Sequence, residues 1–432
     1  MIKIAHLGSY DRNFGDNIAL YNVRRVLDEV VDDKIHWTSI DLPTMHPLDF
    51  DWEHRNDEAP VRGKDKQHYI DMFKKISSEN DMLIIGGGGM IQDYKWADHN
   101  IAWNLPFDEE VLSVIDIPIV CVSLGINLFR GTAPMRPETL ENLKLLINKS
   151  ELFSLRNDGS YENFKKLNIK AEKKVYETPD PGLVMEDHYI LPEKEKIETG
   201  MLQPAWNGSS DLNVARFVPL RYSKDDLQHF ILLQDPDLGL VKNKHLYIKD
   251  IVDLGGEKLK GQELIFRLYE NVMKIRSLKE RANLKLLYHT PLDINIVEHV
   301  FETNVSAWAK TPDFEYDYVL KMINFYINGT VDYSVAMRGH GQMVAIALNL
   351  PSLYFSTQDK VRDFSLKNGF SDYNVDIHEQ DWDQKLLNKI TKLRYDKEYL
   401  YDWYEIRDDF VLECKRNFYE YCNKIKSLLQ KE

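Results

Sequence analysis

Residues 336–364 read AMRGHGQMVAIALNLPSLYFSTQDKVRDF. A short apolar strand, Tyr333 to Ala336, delivers Arg338, Gly339, His340 and Gly341 into a turn. Small and apolar residues at helical spacing predict a helix over Gln342 to Leu348. Pro351 bars its continuation, and Ser352 to Phe355 reads as the next strand, buried and parallel to the first. A polar loop then carries Lys360 and Arg362 past that strand's C-terminal end. In an open α/β sheet, ligands sit in the crevice outside the carboxyl ends of the strands. Arg338, His340 and Lys360 are therefore expected to face one crevice, beside a helix start able to hold an anion. Two permanent cations, an imidazole and a helix N-terminus suit a small, multiply charged acid.

The chain has 432 residues, 43% of them hydrophobic, with 23 Tyr, 18 Phe and 8 Trp. That is enough for two or three domains with sizeable cores. A formal net charge of -14 argues against a nucleic-acid surface, though a local basic pocket survives within such a balance. Cys121, Cys414 and Cys422 lack metal-ligand spacing, so no metal site is expected and a reducing compartment is. On one helix Cys414 and Cys422 would lie about 12 Å apart, too far for a disulfide. The start, MIKIAHLGSYDRNFGDN, reads as a strand and turn rather than a leader, and no apolar run approaches the roughly 20 residues that span a bilayer. A cytoplasmic protein is expected.

Along the first half, strands and glycine turns alternate. Ile2 to Leu7 is a strand, the turn Gly8 to Asn17 follows, and Ile18 to Val30 has helical spacing. Met45 to Gln67, with Trp52, reads as a solvated insertion. Asp81 to Ile85 is a buried strand ending in Gly86-Gly87-Gly88-Gly89, which lets a backbone or ligand approach closely. It is neither a GxGxxG fingerprint nor a Walker motif. Ile117 to Leu124 ends in a similar loop, Gly125-Ile126-Asn127. Leu152 to Leu155 delivers Arg156, with Ser160 opening a helix; Arg156 suits either an anion or a structural pair with Asp158. Asp180, within Pro-Asp-Pro, suits either the cleft or a turn.

Glu186 to Thr199 reads as a linker. Gly200 to Pro204 is expected to open the second sheet, while residues 205–228 show no period and hold the basic Arg216 and Arg221. Helices are expected over Gly261 to Arg276 and Val319 to Ile327, with a strand over Leu284 to His289. Residues 381–430 read as one long helix or two, packing across the domain pair. The expected division is 1–185, 195–380 and a helical segment 381–432.

In order along the chain, NFGD (13–16), IIGGGGMIQD (84–93), SLGIN (123–127), SLRNDGS (154–160), PDPGL (179–183), MRGHG (337–341) and Pro351 through Lys360 resemble the polysaccharide pyruvyl transferase family. Asn157 replaces the family's frequent Asp, and Gly339 replaces a bulky residue. The resemblance implies two Rossmann-like domains facing a cleft, the GT-B-like α/β arrangement, with the acceptor on the N-terminal side and the donor on the C-terminal side. It further implies phosphoenolpyruvate as co-substrate with no cofactor, its charged groups held by Arg156, Arg338, Gly339, Gly341 and Lys360. His340, Lys360 and Arg156 would carry the chemistry, with His340 as general acid/base. Asn13, Asp16, Gly87, Gly88 and Asp93 would meet a sugar acceptor. The product would be a cyclic pyruvate ketal on a cell-surface glycan or its lipid-linked precursor, the latter allowing a weak peripheral membrane association. Two further readings stay open: a GT-B glycosyltransferase using a nucleotide sugar, and a non-catalytic sugar- or anion-binding homologue.

Overall fold

Short runs of apolar, β-branched residues separated by amphipathic helices fold into two sheets of parallel strands. The computed structural model describes residues 1–10, 14–41, 46–47, 66–91, 105–126, 135–203, 253–254, 257–258, 274, 277–278, 281–282, 284–286, 323, 331–356, 359–377 and 379–430. The first sheet comprises β1 (Ile2–Gly8), β2 (Ile35–Asp41), β3 (His46–Pro47), β4 (Met82–Gly86), β5 (Ile119–Leu124), β6 (Leu152–Arg156) and β7 (Val175–Thr178), in the order β3-β2-β1-β4-β5-β6-β7. All pair in parallel except β3, which runs antiparallel to β2. Helices α1 (Phe14–Val30), α2 (Lys66–Glu79), α3 (Glu109–Ser113), α4 (Pro137–Lys149) and α5 (Ser160–Lys166) lie between them.

The second sheet is built from β8 (Gly200–Gln203), β11 (Leu284–Leu286), β12 (Tyr333–Ala336), β13 (Ser352–Ser356) and β14 (Asn374–Asp376), in the order β11-β8-β12-β13-β14 and parallel throughout. Between β8 and β11, β9 (Asp253–Leu254) and β10 (Glu257–Lys258) form a separate antiparallel pair. Helices α6 (Gly339–Ala347) and α7 (Asp359–Lys367) follow β12 and β13. The chain closes with α8 (Trp382–Tyr395) and α9 (Lys397–Leu429), split at Asp396, whose carboxylate accepts the Tyr399 N–H at 3.2 Å.

Two boundaries differ from expectation and matter for the site. Helix α6 begins at Gly339 rather than Gln342, its first bond running from Gln342 N–H to Arg338 O at 3.0 Å, so Gly339, His340 and Gly341 lie in its first turn. It ends where Asn349 takes a left-handed conformation and Leu350 N–H bonds back to Ala345 O at 2.9 Å. Lys360 lies in the first turn of α7 rather than in a loop, because Asp359 opens that helix and pairs with Arg362 at 2.9 Å.

The last helix spans both halves. Its Leu400, Trp403 and Val411 join the core around β12 and β13, while Phe418, Cys422 and Ile425 join the core around β1, β4 and β5. The three cysteines are free and buried. The expected helices over Gly261–Arg276 and Val319–Ile327, the insertion around Trp52, and Arg216, Arg221 and His289 lie outside the described residues, apart from isolated positions.

Candidate active site

Four polar side chains from four separate elements meet where the strand ends of the two sheets face each other. Arg156 ends β6, Asp180 follows β7, Asp16 sits in the first turn of α1, and His340 comes across from the first turn of α6. Arg156 is only 2% exposed; its Nη1 donates to Asp180 Oδ2 at 2.7 Å and its Nη2 pairs with Asp158 Oδ2 at 3.0 Å. Burial works against its charge, but Asp158, Asp180 and Asp16 outweigh that and raise its pKa above the ordinary value. Burial pulls Asp180 the other way, yet His340 and Arg156 prevail and hold its carboxyl below the usual carboxylate range.

The Pro-Asp-Pro segment therefore does two jobs. Asp180 Oδ1 accepts the Gly182 N–H at 2.8 Å, capping a short 3-10 turn, while Oδ2 faces Arg156 and His340. Its backbone is anchored as well. Ser123 Oγ donates to Pro179 O at 3.0 Å, and Asn157 Oδ1 accepts the Asp180 N–H at 3.3 Å. Asp158 is fixed in turn by the Ser160 hydroxyl at 2.5 Å, whose oxygen accepts the Ile126 N–H at 2.9 Å.

His340 Nε2 lies 3.1 Å from Arg156 Nη1 and 3.3 Å from Asp180 Oδ2, and its Nδ1 lies 3.9 Å from Asp16 Oδ1. A guanidinium only donates and a carboxylate only accepts. An unprotonated Nε2 can take the Arg156 hydrogen, and a protonated one can give its hydrogen to Asp180. Both proton states of this nitrogen have a partner in place, which is what a proton-transfer group needs.

Close approach of these groups relies on missing side chains. A Cβ on Gly15 would fall on the His340 ring, and one on Gly125 would lie 2.7 Å from Arg156 Cζ. A Cβ on Gly88 would lie 3.2 Å from Asp16 Oδ1. Gly86 and Gly87 take φ angles of 149° and 88°, open to glycine alone at little cost. The loop they begin is held from beneath. His6 Nδ1 accepts from Arg24 Nε at 3.2 Å, so its Nε2 carries the hydrogen given to Gly86 O at 3.2 Å. Burial first, then the Arg24 guanidinium, push the His6 pKa well below its usual value, keeping the ring neutral in that role.

Residues 13–360 match the polysaccharide pyruvyl transferase family. The chain belongs to that family. It is accordingly a transferase. Among curated proteins no sequence relative matches. Solved structures are similar to the chain. The Staphylococcus aureus MnaA-UDP co-structure is 12% identical with a TM-score of 0.50, covering 100% of this chain and 97% of that one. The UDP-GlcNAc 2-epimerase from Methanocaldococcus jannaschii is 12% identical with a TM-score of 0.44, covering 92% and 94%. An alpha-glucosyltransferase in complex with UDP is 9% identical with a TM-score of 0.42, covering 100% of both chains. The two sheets make a GT-B-like pair of Rossmann-like units.

Of the residues expected to serve this family's chemistry, Arg156, His340 and Asp16 are brought together. Gly88 borders Asp16, whereas Gly87 packs against Ala19 and Leu20 of α1. Arg338, Gly339 and His340 are half-buried at the start of α6, and Gly341 is buried. Lys360 is half-buried, its Cε 3.8 Å from where a Gly339 Cβ would be. Asn13 and Asp93 lie outside the described residues. Gly15 and Gly125 enter the site without having been singled out for it, and Asp158 is the structural partner of Arg156 that the sequence offered. Gly15 and Gly125 stood in family motifs, but only the folded arrangement gives them neighbours. Among the described residues, no helix is long and apolar enough to cross a membrane.

Proposed function

We propose that this transferase moves the enolpyruvyl group of phosphoenolpyruvate onto two hydroxyls of one sugar in a cell-surface glycan or its precursor. The observation that carries this reading is His340, held between a donor and an acceptor at one nitrogen while sharing its helix start with Arg338. In the first step a proton passes from His340 to the methylene carbon of the donor, and the central carbon becomes electrophilic. A sugar hydroxyl adds there, forming a C–O bond and losing its proton; Asp16 is suited to receive it across the Gly88 side of the site and to return it to His340, whose Nδ1 lies 3.9 Å away, before the next turnover. In the second step a neighbouring hydroxyl attacks the same carbon. The C–O bond to phosphate breaks, phosphate leaves with the electron pair, and the second hydroxyl proton ends on phosphate. The balance is phosphoenolpyruvate plus a diol giving a cyclic ketal plus phosphate.

Arg338 and Lys360, with the N–H groups of the first turn of α6, suit the carboxylate and phosphate of the donor. We assign Arg156 to the back of the site. It is nearly fully buried and already engaged by two carboxylates, so it acts on the donor through His340 and through the charge it contributes. No cofactor enters this scheme. We place the reaction in the cytoplasm, where phosphoenolpyruvate and lipid-linked glycan precursors meet.

Thermal stabilisation of the purified protein by phosphoenolpyruvate, beside UDP-, GDP- and CMP-sugars, tests the proposal, because a ligand that binds only the folded state raises Tm. A rise with phosphoenolpyruvate that Arg338→Ala removes supports it. A rise with a nucleotide sugar alone overturns it in favour of glycosyl transfer. His340→Ala that binds donor without turnover excludes a purely binding role.

A further inference from the structure

Helix α9 lies beyond the residues that match the family, yet it packs into the cores of both sheets. Its buried face follows alternating steps of four and three residues through Leu400, Tyr404, Arg407, Val411, Cys414 and Phe418. That is the repeat of a helix packed lengthwise on a continuous core. Five of these six positions hold a residue that packs without a full charge. Arg407 does not, and its side chain is only 6% exposed. A buried guanidinium is costly unless its hydrogens find acceptors.

Those acceptors belong to α6. Arg407 Nε donates to Ile346 O and Nη2 to Ala347 O, each at 2.8 Å, and Nη1 pairs with Asp408 at 2.5 Å. The last carbonyls of a helix have no partner within it, and a cation there complements the helix dipole. Arg407 thus grips the C-terminal end of the nine-residue helix whose first turn carries His340. Two turns further along α9, Cys414 Sγ accepts a long hydrogen bond from Asn157 Nδ2 at 3.8 Å. Asn157 adjoins Arg156 and holds the backbone of Asp180. After another two turns, the Tyr421 hydroxyl donates to Cys121 O of β5 at 2.7 Å. One rigid helix therefore references His340 on one side and its partners on the other to a single rod.

We propose that α9 is the positioning strut of the active site and that Arg407 is the positioning residue through which it sets His340 against Arg156 and Asp180. The functional weight given to that placement rests on the role of His340 proposed above. The placement itself does not.

The test uses full-length Arg407→Met, which fills the stripe without the two hydrogen bonds, and Arg407→Lys, which keeps the charge but has one nitrogen for two carbonyls. The imidazole NMR signals of the ligand-free protein are read first, with His340 assigned from His340→Gln. In folded R407M the His340 signals should shift or broaden while those of His6 stay in place, and R407K should fall between it and the parent. With phosphoenolpyruvate and acceptor, kcat should fall about 10- to 100-fold with little change in the donor KM, the signature of misplacement rather than lost binding. If R407M does not fold, R407K decides by the same spectra. Unchanged His340 signals in a folded variant overturn the proposal, whatever happens to Tm. If the parent never turns over phosphoenolpyruvate, the pyruvyl reading fails alone, and the spectra still decide the role of Arg407.

Discussion

Gly15 of α1 and His340 of α6 occupy one another's space: the position that a Cβ on Gly15 would take is filled by the imidazole. The two helices follow strands of different sheets, so this is a contact between the halves of the molecule rather than within either. A glycine in the first turn of a helix costs stability relative to alanine. Here it leaves the room in which His340 reaches Asp180 and Arg156.

Gly15→Ala should therefore improve α1 locally while displacing His340. The proposed transfer activity should fall about 100-fold or more, as expected when a reacting group moves by about 1 Å. Secondary structure by circular dichroism should be unchanged. Full activity in a folded variant would show that His340 works from another position.

The same substitution at Gly339 should behave in the opposite way. Among the described residues a Cβ there meets only Lys360 Cε, at 3.8 Å, which is ordinary contact. Gly339→Ala should keep most of the activity and raise stability by up to about 1 kcal/mol through the unfolded chain. Steady-state rates and denaturant melts of the two variants side by side check both predictions.

Asp180 is fully buried and neutralises Arg156. Asp180→Asn removes the charge but keeps the volume, leaving Arg156 with Asp158 as its close carboxylate. Breaking a buried pair of this kind costs about 3–5 kcal/mol, which urea denaturation would register. The loss should be accompanied by a collapse of activity, since one of the two partners of His340 Nε2 goes with it. A shift of the urea midpoint no larger than a surface substitution causes would contradict this assignment.

Acid sensitivity should separate into two windows. His6 has a lowered pKa in the folded protein against 6.5 for the free side chain. The unfolded chain therefore binds a proton there that the native state refuses. Stability is intact above about pH 6.5 and declines as the pH falls below it. Asp180, also lowered, adds its own loss only as the pH drops below its reference of 3.8. Tm measured from pH 7.5 to pH 5 should fall, and His6→Gln, which cannot be protonated, should flatten that slope. Equal slopes in the two proteins would mean that His6 binds its proton as readily in the native state as in the unfolded chain.

Strands β1, β4, β5 and β6 and the turns after them were legible because they are local, whereas β2, β7 and β14 gave no such signal. Apolar runs such as MLIIG and IVCVSL, each closed by glycine, report a buried parallel strand without reference to the rest of the chain. The start of α6 was placed three residues late because Gly339 and Gly341 disfavour a helix. The turn forms nonetheless, with Gln342 N–H bonding to Arg338 O and the rest of the helix buried behind it. Lys360 reads as a loop residue in the sequence because its own helix is short and polar, and Asp359 is a slight start signal. Asp180 looked equally suited to a turn and to the cleft, and one oxygen serves each.

By itself the sequence determined the alternation of strand and helix, the glycine turns at the strand ends, and the ordered motifs that mark the family. All of these depend on neighbours within a few residues or on pattern. It could not determine that Asp16, Arg156, Asp180 and His340 share one small space, or that Arg407 holds the far end of the helix bearing His340. Those relationships depend on how two sheets and a long terminal helix pack. Their energies, the burial of charge and the pairing of helix-end carbonyls, exist only once distant segments have been brought into contact.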